Sequence, residues 1–299
     1  MTPWTTADIP DQSGRTIVVT GANTGLGLAT TKALAQKGAY VVMACRNLDK
    51  ANAARSGLGA LTERTEVRHL DLGSLASVRD FAGQLSDWRI DVLVNNAGVM
   101  IPPKGTTSDG FETQWGTNVL GHFLLTALLL PRVTERVVWM ASGAHMFGRI
   151  DLDDPSFERR EYKPWAAYGQ SKLADLMLAY ELQRRLTAKG SPVRSIAAHP
   201  GYSATELQTR PGQGWFGPIM KLSNRFPQVS QPADMGALPE LYAATAPEAV
   251  GGSYIGPDGR FGLTGHPIVV GSSKASHDRD MARRLWALCE EQTGQRFDV

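Results

Sequence analysis

At 299 residues, 42% of them hydrophobic, and with a net charge of +2, the chain has room for one large domain or two small ones and enough apolar residues to cover both faces of a sheet. Acids and bases are mixed throughout, so there is no basic stripe of the kind that binds nucleic acid. Cys45 and Cys289 stand far apart and no Cys/His group has metal-ligand spacing, which points to reduced thiols in a cytoplasmic protein without a metal.

Residues 1–14 are polar and lack the basic and apolar regions of a signal peptide. Arg15 to Thr20 reads as a short β-branched strand that runs into Gly21-Ala22-Asn23-Thr24-Gly25-Leu26-Gly27, followed by a helical pattern from Leu28 to Lys37. Strand, glycine turn and helix together are the setting for a dinucleotide. Glycines let backbone approach a diphosphate, and the helix N-terminus offers free N–H groups. A second strand, Tyr40 to Ala44, ends in Cys45-Arg46-Asn47, about where such a fold meets the adenosine ribose. No acid stands there to repel a 2′-phosphate, and the Arg46 guanidinium suits one. NADP(H) is therefore favoured over NAD(H), with an Arg on a solvated loop as the alternative.

Next come a helix (Asp49 to Leu58), a strand (Thr65 to Leu70) and a helix (Ser74 to Leu85). Asp71-Leu72 at the third strand's end is placed to meet an adenine edge or to cap the following helix. Asp91 to Val94 is a buried strand ending in Asn95-Asn96-Ala97-Gly98, and residues 112 to 131 form a long helix bearing Asn118. Its apolar run, Val119 to Leu130, stops at Pro131, short of the ~20 residues a membrane span needs. Arg136 to Ala141 is a fifth strand with Ser142 at its carboxyl end, and Gly148 to Lys163 is a charged surface excursion. The helix from Trp165 to Ala188 holds Tyr168 and Lys172 near its start, four residues apart and so on one face. A cation beside a phenol favours the phenolate, and a tyrosine so tuned passes a proton near neutral pH.

Val193 to Ala198 is a sixth strand, ending in His199-Pro200-Gly201. Strands alternating with helices imply an α/β, Rossmann-type doubly wound parallel sheet, read here as a single domain over residues 1–299 with its core at 15–201. Ligands of such sheets bind outside the strands' carboxyl ends, where Gly21, Arg46, Asp71, Asn95, Ser142 and Pro200 all fall. Residues 202–231 gather Trp215, Phe216, Ile219, Met220, Leu222 and Phe226 between glycines. They form either a small lid over an apolar substrate or an apolar patch that packs elsewhere. Gln231 to Ala244 reads as a helix, Gly252 to Gly256 as a last short strand, and His277 to Gln292 as a closing helix.

Taken in order, the turn from Thr20 to Gly27, Asn95-Asn96-Ala97-Gly98, Asn118, Ser142, Tyr168-Gly169-Gln170-Ser171-Lys172 and Pro200-Gly201 with Thr205 resemble the short-chain dehydrogenase/reductase family. Gly116-Thr117-Asn118-Val119-Leu120-Gly121-His122-Phe123, Ser142-Gly143-Ala144-His145 and the long gap from Ser142 to Tyr168 are most similar to its retinol dehydrogenase and protochlorophyllide reductase-like branch.

The resemblance implies a catalytic set of Asn118, Ser142, Tyr168 and Lys172. Tyr168 exchanges a proton with the substrate oxygen, Ser142 holds that oxygen, Lys172 favours the phenolate and bonds the nicotinamide ribose, and Asn118 sits in a kinked helix and holds a water. It implies cofactor contacts at Gly21, Asn23, Thr24, Gly25, Leu26, Gly27, Arg46, Asp71, Leu72, Asn95, Ala97, Gly98, Tyr168, Lys172, Pro200, Gly201 and Thr205. The activity it implies is interconversion of a small apolar alcohol with its aldehyde or ketone. Reduction of an activated C=C bond and a non-catalytic NADP(H)-binding regulator are the alternatives, and a homo-oligomer stays open. Ala141 departs from relatives that carry a serine there, His199 reads as a packing residue, and His145 belongs to the branch's local wording.

Overall fold

A computed structural model describes residues 2–202 and 231–299. Its centre is an eight-stranded sheet in the order β3-β2-β1-β4-β5-β6-β7-β8. The strands are β1 (Thr16–Thr20), β2 (Tyr40–Cys45), β3 (Thr65–His69), β4 (Ile90–Asn95), β5 (Val133–Met140), β6 (Arg194–Ala198), β7 (Tyr254–Pro257) and β8 (Pro267–Val269). The first seven run parallel, and β8 pairs antiparallel with β7 through Ile255↔Val269 and Pro257↔Pro267.

Parallel strands are covered on both faces and so read as unbroken apolar runs rather than alternating ones. Within β1, Val18 points into one core and Ile17 and Val19 into the other; within β5, Val137 and Trp139 face one way and Val138 the other. The Val18 face is covered by α3 (Leu75–Gly83), α4 (Gly121–Leu129), α5 (Pro164–Ala188) and α7 (Arg279–Thr293). The opposite face is covered by α1 (Gly25–Gln36), α2 (Leu48–Ser56) and α6 (Leu238–Thr245). Both cores belong to one domain.

The helix expected over 112–131 is divided. A π-helical turn, Trp115–Leu120, leads into α4, and a short 3₁₀ turn at Leu130–Arg132 carries Pro131. Apolar spacing does not distinguish the wider turn from α-helix, and such turns gather at functional sites. The helix expected from Gln231 is broken into a one-turn piece, Ala233–Gly236, and α6, which has Pro239 in its first turn. The excursion before α5 is irregular but tied down, since the buried Asp154 carboxylate accepts the backbone N–H groups of Glu158, Arg159 and Arg160. Among the described residues no helix is long and apolar enough to cross a membrane. The lid expected at 202–231 falls almost wholly outside the described residues. Its described ends meet, with the Gln231 N–H donating to the Tyr202 carbonyl at 3.0 Å.

Candidate active site

Gly21 has a φ of +68°, which a side chain disfavours, and Gly27 packs so closely under it that an added Cβ would lie 2.5 Å from the Gly21 oxygen. The turn is clamped from the loop after β4: Asn96 Nδ2 donates to the Thr20 carbonyl at 2.7 Å, and the Ala97 N–H donates to Thr20 Oγ1 at 2.9 Å. Thr20 Oγ1 also lies 3.0 Å from His122 Nε2, whose Nδ1 lies 3.0 Å from the Asn118 carbonyl. Burial, aided by Lys172, pushes His122 down to about 3, so the ring is neutral. A carbonyl only accepts, which assigns the proton to Nδ1 and makes Nε2 the acceptor of the threonine hydroxyl.

Beside this turn opens a cleft of about 320 Å³. It is lined by Gly21, Asn23, Thr24, Gly25, Leu26, Gly27, Arg46, Asp71, Leu72, Ala97 and Gly98, all anticipated from sequence, and also by Asn47, Lys50, Asn96, Val99 and Thr117. Thr24 caps α1 without a side-chain bond, leaving the first helical N–H groups to the cleft. Asn47 caps α2 by accepting the Lys50 N–H at 2.8 Å, which sets Lys50 one turn from Arg46 at the same mouth. Asp71 both lines the cleft and makes a local turn, accepting the Gly73 N–H at 2.9 Å, while Ser74 caps α3. Asn95 does not join the cleft. It is buried and its Nδ2 donates to Thr126 Oγ1 at 2.8 Å, because neighbouring residues at a strand's end face opposite sides.

A second cavity, about 290 Å³, adjoins the first and shares Leu26, Asn96, Gly98 and Val99 with it. Ser142, Tyr168 and Lys172 line it, with Pro200 and Gly201, within walls supplied by Met100, Met140, Phe147, Trp165, Phe261 and Leu263. Ser142 Oγ accepts the Ala144 N–H at 3.2 Å, which leaves its own proton to donate. The Tyr168 ring packs on Ile101 and Ala144, edge-on to Trp165. Lys172 Nζ donates to the Met140 carbonyl at 2.8 Å and to Asp175 Oδ2 at 2.9 Å.

Every residue between Tyr168 and Lys172 makes a contact that fixes the helix. Gly169 lies where a Cβ would meet the Phe147 ring at 2.9 Å. Gln170 Nε2 donates to the Pro155 carbonyl, and its Oε1 accepts from the Asp151 N–H and from Arg160, binding the excursion to α5. Ser171 Oγ donates to the Tyr168 carbonyl at 2.9 Å and accepts from Asn118 Nδ2 at 3.0 Å.

Asn118 is fully buried and lines neither cavity. Its Oδ1 accepts the Val99 N–H at 2.8 Å and its Nδ2 also donates to the Val99 carbonyl, so it braces the loop behind Gly98. His199 lines the cavity at the end of β6, with its ring against Tyr254, and burial followed by His145 pushes it down to about 4. Thr205 lies outside the described residues. Phe147, Trp165 and Phe261, which sequence reasoning did not place at the site, are all exposed at the cavity mouth. Phe261 reaches it from a 3₁₀ turn after β7 at a φ of +58°, a position no motif announces.

The profile of the short chain dehydrogenase family matches residues 15–214. Retinol dehydrogenase 13 of Homo sapiens is 41% identical over 291 residues, covering 92% of this chain and 83% of the relative. Polyprenol dehydrogenase of Mus musculus is 40% identical over 297 residues, covering 93% and 84%. The crystal structure of an uncharacterized protein from Mycobacterium paratuberculosis is 48% identical and covers the whole of both chains with a TM-score of 0.86. A short chain dehydrogenase from Burkholderia cenocepacia, solved in complex with NADP, shares the fold at 23% identity, with a TM-score of 0.64 over 82% of this chain and 96% of that one.

Proposed function

The chain belongs to the short-chain dehydrogenase/reductase family, in its retinol dehydrogenase-like branch, and we propose that it is an NADP(H)-dependent oxidoreductase interconverting an apolar alcohol and its aldehyde or ketone. The observation that carries this reading is the junction of the two cavities, where Ser142, Tyr168 and Lys172 stand beside the residues the two share.

The residues of the first cavity fit a dinucleotide. The space beside Gly21 and Gly27 admits no side chain, the first turn of α1 offers backbone N–H groups without a side-chain cap, and Arg46 and Lys50 stand at the mouth with no acid at Ala44, Cys45 or Arg46. Gly21, Asn23, Thr24, Gly25, Leu26 and Gly27 would hold the diphosphate, and Arg46 with Lys50 a 2′-phosphate. Asp71 and Leu72 would flank the adenine, with Ala97, Gly98, Pro200 and Gly201 toward the nicotinamide end. When bound, the nicotinamide supplies or accepts the hydride.

The chain's own part is proton transfer, orientation and exclusion of water. Ser142 Oγ–H holds the substrate oxygen. Tyr168 gives that oxygen a proton in reduction and takes it back in oxidation, and Lys172 supports the phenolate. Met100, Phe147 and Trp165 surround the reacting carbon with apolar surface. The names of two relatives, retinol dehydrogenase and polyprenol dehydrogenase, support a long apolar alcohol as substrate.

The test is loss of reduced nicotinamide absorbance with a panel of aliphatic and isoprenoid aldehydes, run with NADPH and with NADH. Turnover that favours NADPH and yields the alcohol is expected. No consumption across the panel would overturn the reading, and a product saturated at carbon with its carbonyl intact would assign the C=C reductase alternative.

A further inference from the structure

Lys172 is not a lone cation behind Tyr168. Asp175 stands one turn further along α5, with Oδ2 2.9 Å from Lys172 Nζ, and the two side chains are 3% and 5% exposed. The ammonium has three donors. One goes to Asp175, one to the Met140 carbonyl, and a single N–H is left for the cavity that Lys172 lines. Asp175 Oδ1 is buried and has no hydrogen-bond partner. A buried ion pair roughly breaks even in stability against a neutral replacement of the same shape. Its effect on a neighbouring titrating group is not small, because little water screens it.

Other titratable groups surround the pair. Tyr168 shares the helix, His122 faces Lys172 from α4, and Cys289 faces Asp175 from α7. His122 is held neutral, and burial followed by Asp175 pushes the Cys289 thiol far up, so neither carries charge near neutral pH. The field at the Tyr168 hydroxyl from these residues is therefore that of Lys172 less that of Asp175.

Resting on the proposed role of Tyr168, we infer that Asp175 is a positioning residue: its carboxylate draws the Lys172 ammonium toward Met140 and offsets its charge, so that Asp175 governs how strongly Lys172 favours the Tyr168 phenolate. Burial, opposed by Lys172, pushes the Asp175 carboxyl above the usual carboxylate range. Where the carboxyl is ionised the offset is in force; where lower pH protonates it, Lys172 acts undiminished. Burial works against the charge on Lys172, but Asp175 and Tyr168 outweigh it and the ammonium is raised, so it stays protonated in both cases.

Asp175→Asn tests this, because the near-isosteric amide keeps an oxygen toward Lys172 while removing the charge. In alcohol oxidation Tyr168 acts as its phenolate. The rising limb of kcat/KM against pH is expected to move to lower pH by about one pH unit. A limb that stays in place, or moves to higher pH, overturns the inference. A readout independent of turnover is NMR titration of isotope-labelled tyrosine in the whole protein, with the resonance assigned by its loss in Tyr168→Phe. That resonance is expected to titrate at lower pH in Asp175→Asn than in the unsubstituted chain, and an unchanged midpoint overturns the inference. If the unsubstituted chain turns over no carbonyl, the proposed function fails while the tyrosine titration still decides the role of Asp175.

Discussion

Asn118 Nδ2 lies 3.0 Å from Ser171 Oγ, and this bond joins the π-helical turn before α4 to the helix that carries Tyr168. The same amide holds both the N–H and the carbonyl of Val99. Asn118 is thus the common anchor of the loop after β4 and the start of α5.

Asn118→Ala removes the partner of three polar groups at once. Leaving buried donors and acceptors unmet costs roughly 2–4 kcal/mol in all. Urea unfolding is expected to show a loss of that size, and turnover is expected to fall at least about tenfold as Tyr168 loses its register with the cleft. Full stability with turnover abolished would instead return Asn118 to a direct part in the chemistry.

Tyr168→Phe separates chemistry from binding. The ring packs on Ile101 and Ala144 and stands edge-on to Trp165, packing that a phenylalanine ring keeps. Folding and NADPH affinity are expected to stay within about threefold of the parent, while turnover falls by the 10²–10⁴-fold typical of a lost general acid or base. Fluorescence titration with NADPH alongside steady-state rates checks both halves.

Arg46 and Lys50 both line the cleft beside the glycine turn, the second placed there by the Asn47 cap of α2. Arg46→Ala is expected to weaken NADPH roughly ten- to a hundredfold, the range of a charge-assisted contact, and Lys50→Ala by a smaller factor. NADH, lacking the 2′-phosphate, is expected to lose little in either variant. Dissociation constants for the two nucleotides measure this directly, and equal losses for both would remove these side chains from phosphate recognition.

Much of this site was legible in the residues, and the illegible parts have physical causes. β1, β2 and β4 announce themselves because strands buried on both faces are continuous apolar runs. β8 does not, because it is three residues at a sheet edge, opens with Pro267, and leaves Ile268 and Val269 exposed. Of the adjacent amides Asn95 and Asn96, only one can face the cleft, and the dipeptide itself carries no sign of which. Gln170 gives no sign in sequence of the excursion it holds, which lies 15 residues away at Pro155. Lys50 carries no sign that it lines the cleft, because its helix begins only where Asn47 happens to cap it. Phe261 depends on a left-handed backbone far along the chain from every motif.

Away from the site, Glu240 of α6 is wholly buried against α1, with Oε2 accepting from Thr30 Oγ1 at 2.7 Å and Oε1 buried without a partner. Burial, opposed by the Thr30 bond, pushes its carboxyl from 4.5 up to about 7. The folded state therefore favours the protonated form. Below the unfolded value both states are protonated and Glu240 has no effect on stability. As pH rises from there to about 7 the unfolded chain ionises first, and stability is lost. Above about 7 both states ionise and the loss is constant, at roughly 3 kcal/mol. Glu240→Gln abolishes this titration while adding its own fixed cost for the buried amide, so the informative quantity is the change with pH rather than the value at one pH. Between about pH 5 and about pH 8 the variant's stability relative to the parent is expected to rise by about 2 kcal/mol in urea unfolding. A difference that stays flat across that range would mean that Glu240 is already ionised in the folded protein.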